Sequence, residues 1–442
     1  MTKILISEGS LLTAGGWIPR GYVWITGPTI AALGAGEAPQ AYVHQAETHI
    51  NARHQAVLPG LINGHTHLSQ TLMRGLAGGR GLLPWLKELI WPLQAAITPD
   101  DMRVAAQLGL LENLRSGVTT VIDNHKVTAS PEYADIVCQT ASEMGLRLTL
   151  ALGWSDKGAG NDAPEAILAE MTRLYERWHS SPYVRIANGA IALWRCSAGT
   201  LQRAHELACR FDAVTHLHTA ETADEVRMSR EAHGKHPIAW LADLGLLDAA
   251  TQLVHAVWVD DAALTLVARS GATVVHCPVS NAVLGSGIAP VAEMVARGIP
   301  VRLGTDGPAS NDTQDLFETL KTAVQLARVS TLDPTVLPPA TALALATGGR
   351  VLERGGPADC IAVNLNHSRA MPVHDIASAL TLCTHGSDVT AVIVAGELLL
   401  HRGRVLVLDE AALLQEGRAV ARSLRARAGI EQSRAVNYPS ES

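Results

Sequence analysis

The sequence predicts an α/β fold, a (β/α)8 barrel of the TIM type with a small β-sandwich domain assembled from both chain termini. Three observations carry this expectation. Eight short apolar runs, each followed by a helical pattern, recur between about residues 57 and 350 at the spacing of βα units. The segments on either side carry short strands broken by Gly and Pro. A chain of 442 residues also exceeds what one ordinary core supports, which suits a barrel with an appended module.

Taken in order, residues 3–50 (ILISEGSLLTAGG, GYVWITGPTIAALGAG) read as small antiparallel strands. The candidate barrel strands are 57–62, 118–122, 146–152, 184–191, 214–218, 252–255, 273–276 and 301–304. An open doubly wound sheet is the alternative arrangement of the same units. After residue 356 strand texture returns in ADCIAVNLN and VTAVIVAGELLLHRGRVL, and a helix from about Asp409 to Arg427 closes the chain. We therefore expect a composite β domain of residues 1–56 and 357–442 flanking a barrel of residues 57–356.

Composition excludes several function classes. With 47% hydrophobic and 17% charged residues the chain has ample apolar surface to bury, unlike a disordered protein. A net charge of −7 and the absence of any Lys/Arg run argue against a nucleic-acid partner. No apolar stretch approaches a membrane span and the first residues lack a signal-peptide pattern, so a cytoplasmic location is expected. The six cysteines, at 138, 196, 209, 277, 360 and 383, show no Cys-x-x-Cys spacing and read as reduced thiols.

The chemistry gathers at strand ends. In AVLPGLINGHTHL, His65 and His67 are two residues apart, so on a strand both imidazoles face the same way. At the fifth candidate strand, THLHTAE supplies His218 and, three residues on, the carboxyl of Glu221. His216 shares the face of His218 one layer deeper and reads as a core histidine. LVHAVWV ends the sixth strand with His255, and VRLGTDGPASND sets Asp306 where the eighth should end. Any one of these has a bland explanation, a core histidine or a turn Asp. Their joint placement at the ends of strands one, five, six and eight points to one site, because barrel active sites form at the C-terminal ends of the strands.

Three neutral imidazoles and a carboxylate with an open position suit one Zn2+, with Fe2+ as a substitute. Such an ion lowers the pKa of its water to near 7 and so supplies hydroxide, with Asp306 as ligand and base. Glu221 then fits a proton shuttle and His255 a group that orients the nucleophile and stabilises charge.

These motifs resemble the amidohydrolase superfamily, in the branch of S-adenosylhomocysteine, guanine and s-triazine deaminases and s-triazine chlorohydrolases. The resemblance runs through PGLINGHTH, LRSGVTTVIDN, HTAET, HCPVSNAVLGSGIAPVAEM and GTDGPASND, nearly the whole chain. It implies His65, His67, His218 and Asp306 as ligands of a single metal, Glu221 and His255 as catalytic, and a small heterocyclic substrate released of ammonia. It also implies substrate contacts from Gln70, Trp85, Gln94, Asn124, Ile191, Trp194 and Ser310, and a homo-oligomer. Nucleoside deaminases of the branch carry Glu where Gln94 stands and His where Ile191 stands, so an s-triazine, pterin or nucleobase is the expected substrate. Dechlorination of an s-triazine, deamination of a nucleoside and opening of a cyclic amide are the alternatives.

Overall fold

The computed structural model describes residues 2–430 except 77, 127–129, 131 and 159–160. Five strands open the chain: β1 (Lys3–Thr13), β2 (Gly16–Thr26), β3 (Thr29–Ala35), β4 (Thr48–Asn51) and β5 (Gln55–Pro59). Eight more form a parallel sheet in sequence order: β6 (Leu61–Thr66), β7 (Val118–His125), β8 (Arg147–Trp154), β9 (Val184–Ala190), β10 (Thr215–Thr219), β11 (Thr251–His255), β12 (Thr273–His276) and β13 (Val301–Leu303). Helices follow these strands, and the Asp306 N–H donates to the His65 carbonyl at 2.9 Å, drawing the last strand's exit onto the first and curling the sheet into a nearly closed barrel.

The last four strands, β14 (Cys360–Asn364), β15 (Val389–Val394), β16 (Glu397–His401) and β17 (Arg404–Val405), join the N-terminal ones in a nine-stranded mixed sheet. The join is β14 against β5, antiparallel, with Cys360 opposite Pro59. Alternation along these strands explains how one sheet serves two cores. Val57, Cys360, Ala362, Ala391 and Ile393 enter a core private to the terminal sheet, together with Ile4, Ile6, Val23 and Ile25. Their neighbours Leu58, Ile361, Val363 and Val392 point the other way, into the main core beneath the barrel.

Two expectations need correction. The run 57–62 is not one strand: it breaks at Gly60, where β5 of the terminal sheet ends and β6 of the barrel begins. The joint requires glycine, since any Cβ on residue 60 would stand 2.1 Å from the Thr119 side chain. The N-terminal strands are also not purely antiparallel, because β1 pairs in parallel with β4 and β5. The closing helix, Glu410–Arg427, is capped by the Asp409 side chain and lies where expected. Among the described residues no helix is long and apolar enough to cross a membrane.

Candidate metal centre and active-site cavity

The end of β6 places His65 and His67 on the barrel axis, β10 delivers His218, β11 ends on His255, and Asp306 lies three residues beyond β13. All are buried. The chain turns abruptly as it leaves these strands. His255 and Asp306 both hold left-handed backbone, φ 72° and 64°, a conformation that costs a non-glycine residue about 1–3 kcal/mol. The strain aims both side chains back into the barrel mouth.

The donor atoms converge on one point. Asp306 Oδ1 lies 3.4 Å from Nε2 of His65 and 3.4 Å from Nε2 of His67. Nitrogen atoms of His65, His218 and His255 lie within 4.8 Å of one another. Among the described residues His65 Nε2 has no hydrogen-bond partner although it is fully enclosed. These separations are long for hydrogen bonds, but they match the edges of a coordination shell whose ligands stand roughly 2.0–2.2 Å from a cation. Burial holds the imidazoles of His65 and His218 far below their ordinary proton affinity, so both are neutral and able to ligate. Burial alone would raise the Asp306 carboxyl; a proton on His65 or His67 holds it well below the usual range, a part that falls to a cation when the imidazoles are neutral. A carboxylate facing lone pairs in a dry site is repulsive without a cation. The residues therefore fit a divalent ion.

His67, His255 and Asp306 are held from behind, whereas His218 Nδ1 is buried with no hydrogen-bond partner among the described residues. His67 Nδ1 donates to the Asn124 carbonyl at 2.7 Å, and His255 Nδ1 to Asn281 Oδ1 at 2.9 Å. Asp306 Oδ2 accepts from the Ser280 hydroxyl at 2.5 Å, and its Oδ1 from the Gly307 N–H at 2.7 Å. Such partners fix ring orientation and leave the opposite nitrogen bare. Glu221 lies beside the cluster, its Oε2 3.6 Å from His255 Nε2 and its Oε1 accepting from the Ser286 hydroxyl at 3.0 Å. Burial raises the Glu221 carboxyl, and burial opposes the charged form of His255 while Glu221 and Asp306 outweigh it and raise that imidazole.

The profile of the amidohydrolase family matches residues 56–399. The chain belongs to the amidohydrolase family. Relatives include a 5'-deoxyadenosine deaminase from Methanosarcina mazei, 35% identical over 97% of this chain and 99% of that one. A 5-methylthioadenosine/S-adenosylhomocysteine deaminase from Moorella thermoacetica is 36% identical over 92% and 96%. Among solved structures, an adenosine deaminase from Xanthomonas campestris with bound zinc superposes with a TM-score of 0.90 at 30% identity, covering 96% of this chain and 99% of that one. Atrazine chlorohydrolase from Arthrobacter aurescens complexed with zinc gives 0.87 at 26% identity, covering 95% and 100%.

In this amidohydrolase a cavity of about 650 Å³ opens above the cluster, its floor lined by His67, His218, Glu221, His255 and Asp306. Its roof comes from the excursion between β6 and β7, where helices Leu82–Trp85 and Trp91–Ala96 flank a single π-helical turn, Leu86–Ile90. Of the residues expected to meet substrate, Gln70, Trp85, Gln94, Ile191 and Trp194 line this cavity. Gln70 Oε1 and Trp85 Nε1 are buried there without a partner among the described residues, one acceptor and one donor. Asn124 and Ser310 are placed elsewhere. The Asn124 amide donates to the Gly189 carbonyl at 3.3 Å, and the Ser310 hydroxyl contacts Ser280 at 3.1 Å, behind Asp306. His276 is fully buried off the lining, its imidazole pushed down to about 3 by burial.

Sequence reasoning missed Ser280, Asn281 and Ser286, which brace Asp306, His255 and Glu221. All three lie within the HCPVSNAVLGSG segment after β12, Ser280 and Asn281 on the short helix Pro278–Val283, and its residue types carry the signal but not their targets. It missed Glu225 too, whose Oε2 accepts the Glu221 N–H at 2.7 Å.

Proposed function

We propose that this chain is a metal-dependent hydrolytic deaminase of an amino-substituted nitrogen heterocycle, with His65, His67, His218 and Asp306 holding one Zn2+, for which Fe2+ can substitute. What carries the reading is Glu221, a buried carboxyl with raised proton affinity set beside His255 at the edge of the donor cluster. A site that only bound a metal would have no use for it. The names of the relatives, nucleoside deaminases and a triazine chlorohydrolase, support the same reaction class.

When bound, the ion supplies Lewis acidity that makes water a nucleophile near neutral pH. The chain's own groups do the rest. Gln70 Oε1 and Trp85 Nε1 engage polar edges of the ring, and the apolar roof of Leu86 and Ile90 excludes bulk water. Asp306 accepts the proton of the attacking water. Glu221 carries a proton to a ring nitrogen as the tetrahedral carbon forms, and a second transfer releases the amino group as ammonia. His255, anchored by Asn281, faces the reacting oxygen and stabilises charge on it. Across the reaction one C–O bond forms, one C–N bond breaks, and water's two hydrogens divide between product and ammonia.

We favour a free s-triazine, pterin or nucleobase, because Ile191 on the cavity wall offers no hydrogen bond to a purine nitrogen and Gln94 offers no charge to ribose hydroxyls. A lost hydrogen bond of this kind costs about 1–3 kcal/mol. The relatives' names favour a second reading, an adenosine-type nucleoside substrate. Ammonia release from zinc-loaded protein across aminotriazines, pterins, nucleobases and adenosine derivatives decides between them. We expect the highest kcat/KM on a free heterocycle; a nucleoside ahead of all of these establishes the second reading, and no ammonia from any compound rejects deamination.

A further inference from the structure

His67 donates its Nδ1 proton to a backbone carbonyl, which can only accept, so its Nε2 is left bare for a cation by necessity. His65 has no such guarantee. Its Nδ1 lies 2.8 Å from Nε2 of another histidine, His216, and an imidazole nitrogen can donate or accept. Beyond it, His216 Nδ1 lies 2.9 Å from Gln252 Oε1, at the start of the neighbouring strand β11. His65 and His216 are fully buried and Gln252 is 7% exposed, so the row is shielded from water inside the barrel.

Two proton arrangements satisfy both bonds. With the amide oxygen of Gln252 toward His216, Nδ1–H of His216 donates to it, His216 Nε2 accepts, and His65 must donate from Nδ1. His65 Nε2 is then a bare lone pair aimed at the donor cluster. With the amide turned over, its NH2 donates to His216, His216 Nε2–H donates to His65, and a proton is forced onto His65 Nε2. That proton occupies the atom that faces Asp306 at 3.4 Å and blocks ligation. The structure has the amide oxygen toward His216, the competent arrangement. A histidine at 216 is thus a partner whose direction must be set from outside, and Gln252 is the group that sets it.

We propose that Gln252 and His216 form a positioning relay that fixes the tautomer and ring direction of His65 and thereby sets how tightly the site holds its metal. The inference rests on the reading of His65 as a ligand. Loss of an outer partner of a metal-binding histidine typically weakens affinity by about 10- to 100-fold. Gln252→Met keeps the volume but offers no acceptor, whereas Gln252→Glu presents only acceptors and locks the competent direction.

The test is competition for zinc between full-length protein and a fluorescent chelator, with His65→Ala as control. We expect Gln252→Met to bind zinc about 10- to 100-fold more weakly and Gln252→Glu to bind at least as tightly as the parent. Equal affinity of the parent and Gln252→Met, or equal weakening by both substitutions, overturns the relay. Unchanged affinity in His65→Ala instead rejects the ligand assignment on which it rests. A second measurement needs no variant: ¹⁵N-histidine NMR of the zinc-loaded protein should show His216 protonated at Nδ1 and bare at Nε2. The opposite tautomer overturns the proposal.

Discussion

Glu221 is drawn two ways, since burial favours its neutral acid and the imidazole of His255 favours its anion. A group so balanced can take up and release a proton in one turnover. Glu221→Gln keeps the hydrogen bond from Ser286 but cannot carry the proton, so we expect metal content to stay whole while kcat falls roughly 10²–10⁴-fold; elemental analysis beside steady-state rates checks both. Asp306→Asn should instead lose metal as well as turnover. Glu225 makes a separate prediction about stability. Burial first, and the charge of Glu221 next, raise its carboxyl from 4.5 to about 7. Between those values the folded state keeps a proton that the unfolded chain has lost, so stability falls as pH rises through that window. Glu225→Gln should flatten that decline, a difference of order 1–3 kcal/mol in the unfolding free energy from denaturant titrations across the window. Of these residues, His65, His67, His218, Glu221, His255 and Asp306 stand out in the sequence because metal and proton chemistry restrict the residue types. Glu225 and Gln252 do not, since their contacts depend on which neighbouring strand or turn they meet.

Gly60 shows what a strand-scale reading of sequence leaves out. The run from Val57 to Ile62 is uniformly apolar, and nothing in its periodicity marks a change of sheet, because β5 and β6 are both buried on both faces. The division comes from tertiary contact. The Gly60 N–H donates to the Asp359 carbonyl at 3.0 Å, its own carbonyl accepts from Arg350 at 2.7 Å, and Asp359 pairs with Arg147 at the base of β8 at 2.6 Å. The terminal sheet is pinned to the barrel at this joint. Gly60→Ala would drive a methyl into Thr119, a short, stiff, fully buried side chain. We expect a loss of about 1–3 kcal/mol in chemical denaturation, with the metal site intact in the folded fraction. The remaining barrel strands begin and end within three residues of the positions expected, because each lies between a helix cap and a polar strand exit that the sequence shows openly.

At the scale of the whole molecule, the barrel has a seam, where β13 and β6 meet without a ladder pairing in the sheet. β13 is only three residues long, and the Asp306 N–H to His65 carbonyl bond spans the gap between last and first strands. The glycines on both sides admit a close approach: a Cβ at Gly64 would meet the Leu303 carbonyl at 2.8 Å, and one at Gly304 would meet the His65 backbone nitrogen at 2.9 Å. The proposed ligands straddle this seam, with His65 on the first strand, His67 just past its end and Asp306 past the last strand. An ion held by all three would clamp the barrel shut, and His218 would tie the clamp to the fifth strand. Binding to the folded state alone stabilises by about 2.7 kcal/mol when free metal stands at a hundred times its dissociation constant. We therefore expect chelation to lower the melting temperature, and restoring zinc to reverse it. The loss should also be local. In hydrogen exchange, the amides of β6, β13 and residues 304–307 should open most on metal removal, while β14 and β15 in the terminal sheet stay protected. A uniform rise in exchange across both sheets would show that the metal supports the fold generally and does not clamp the seam.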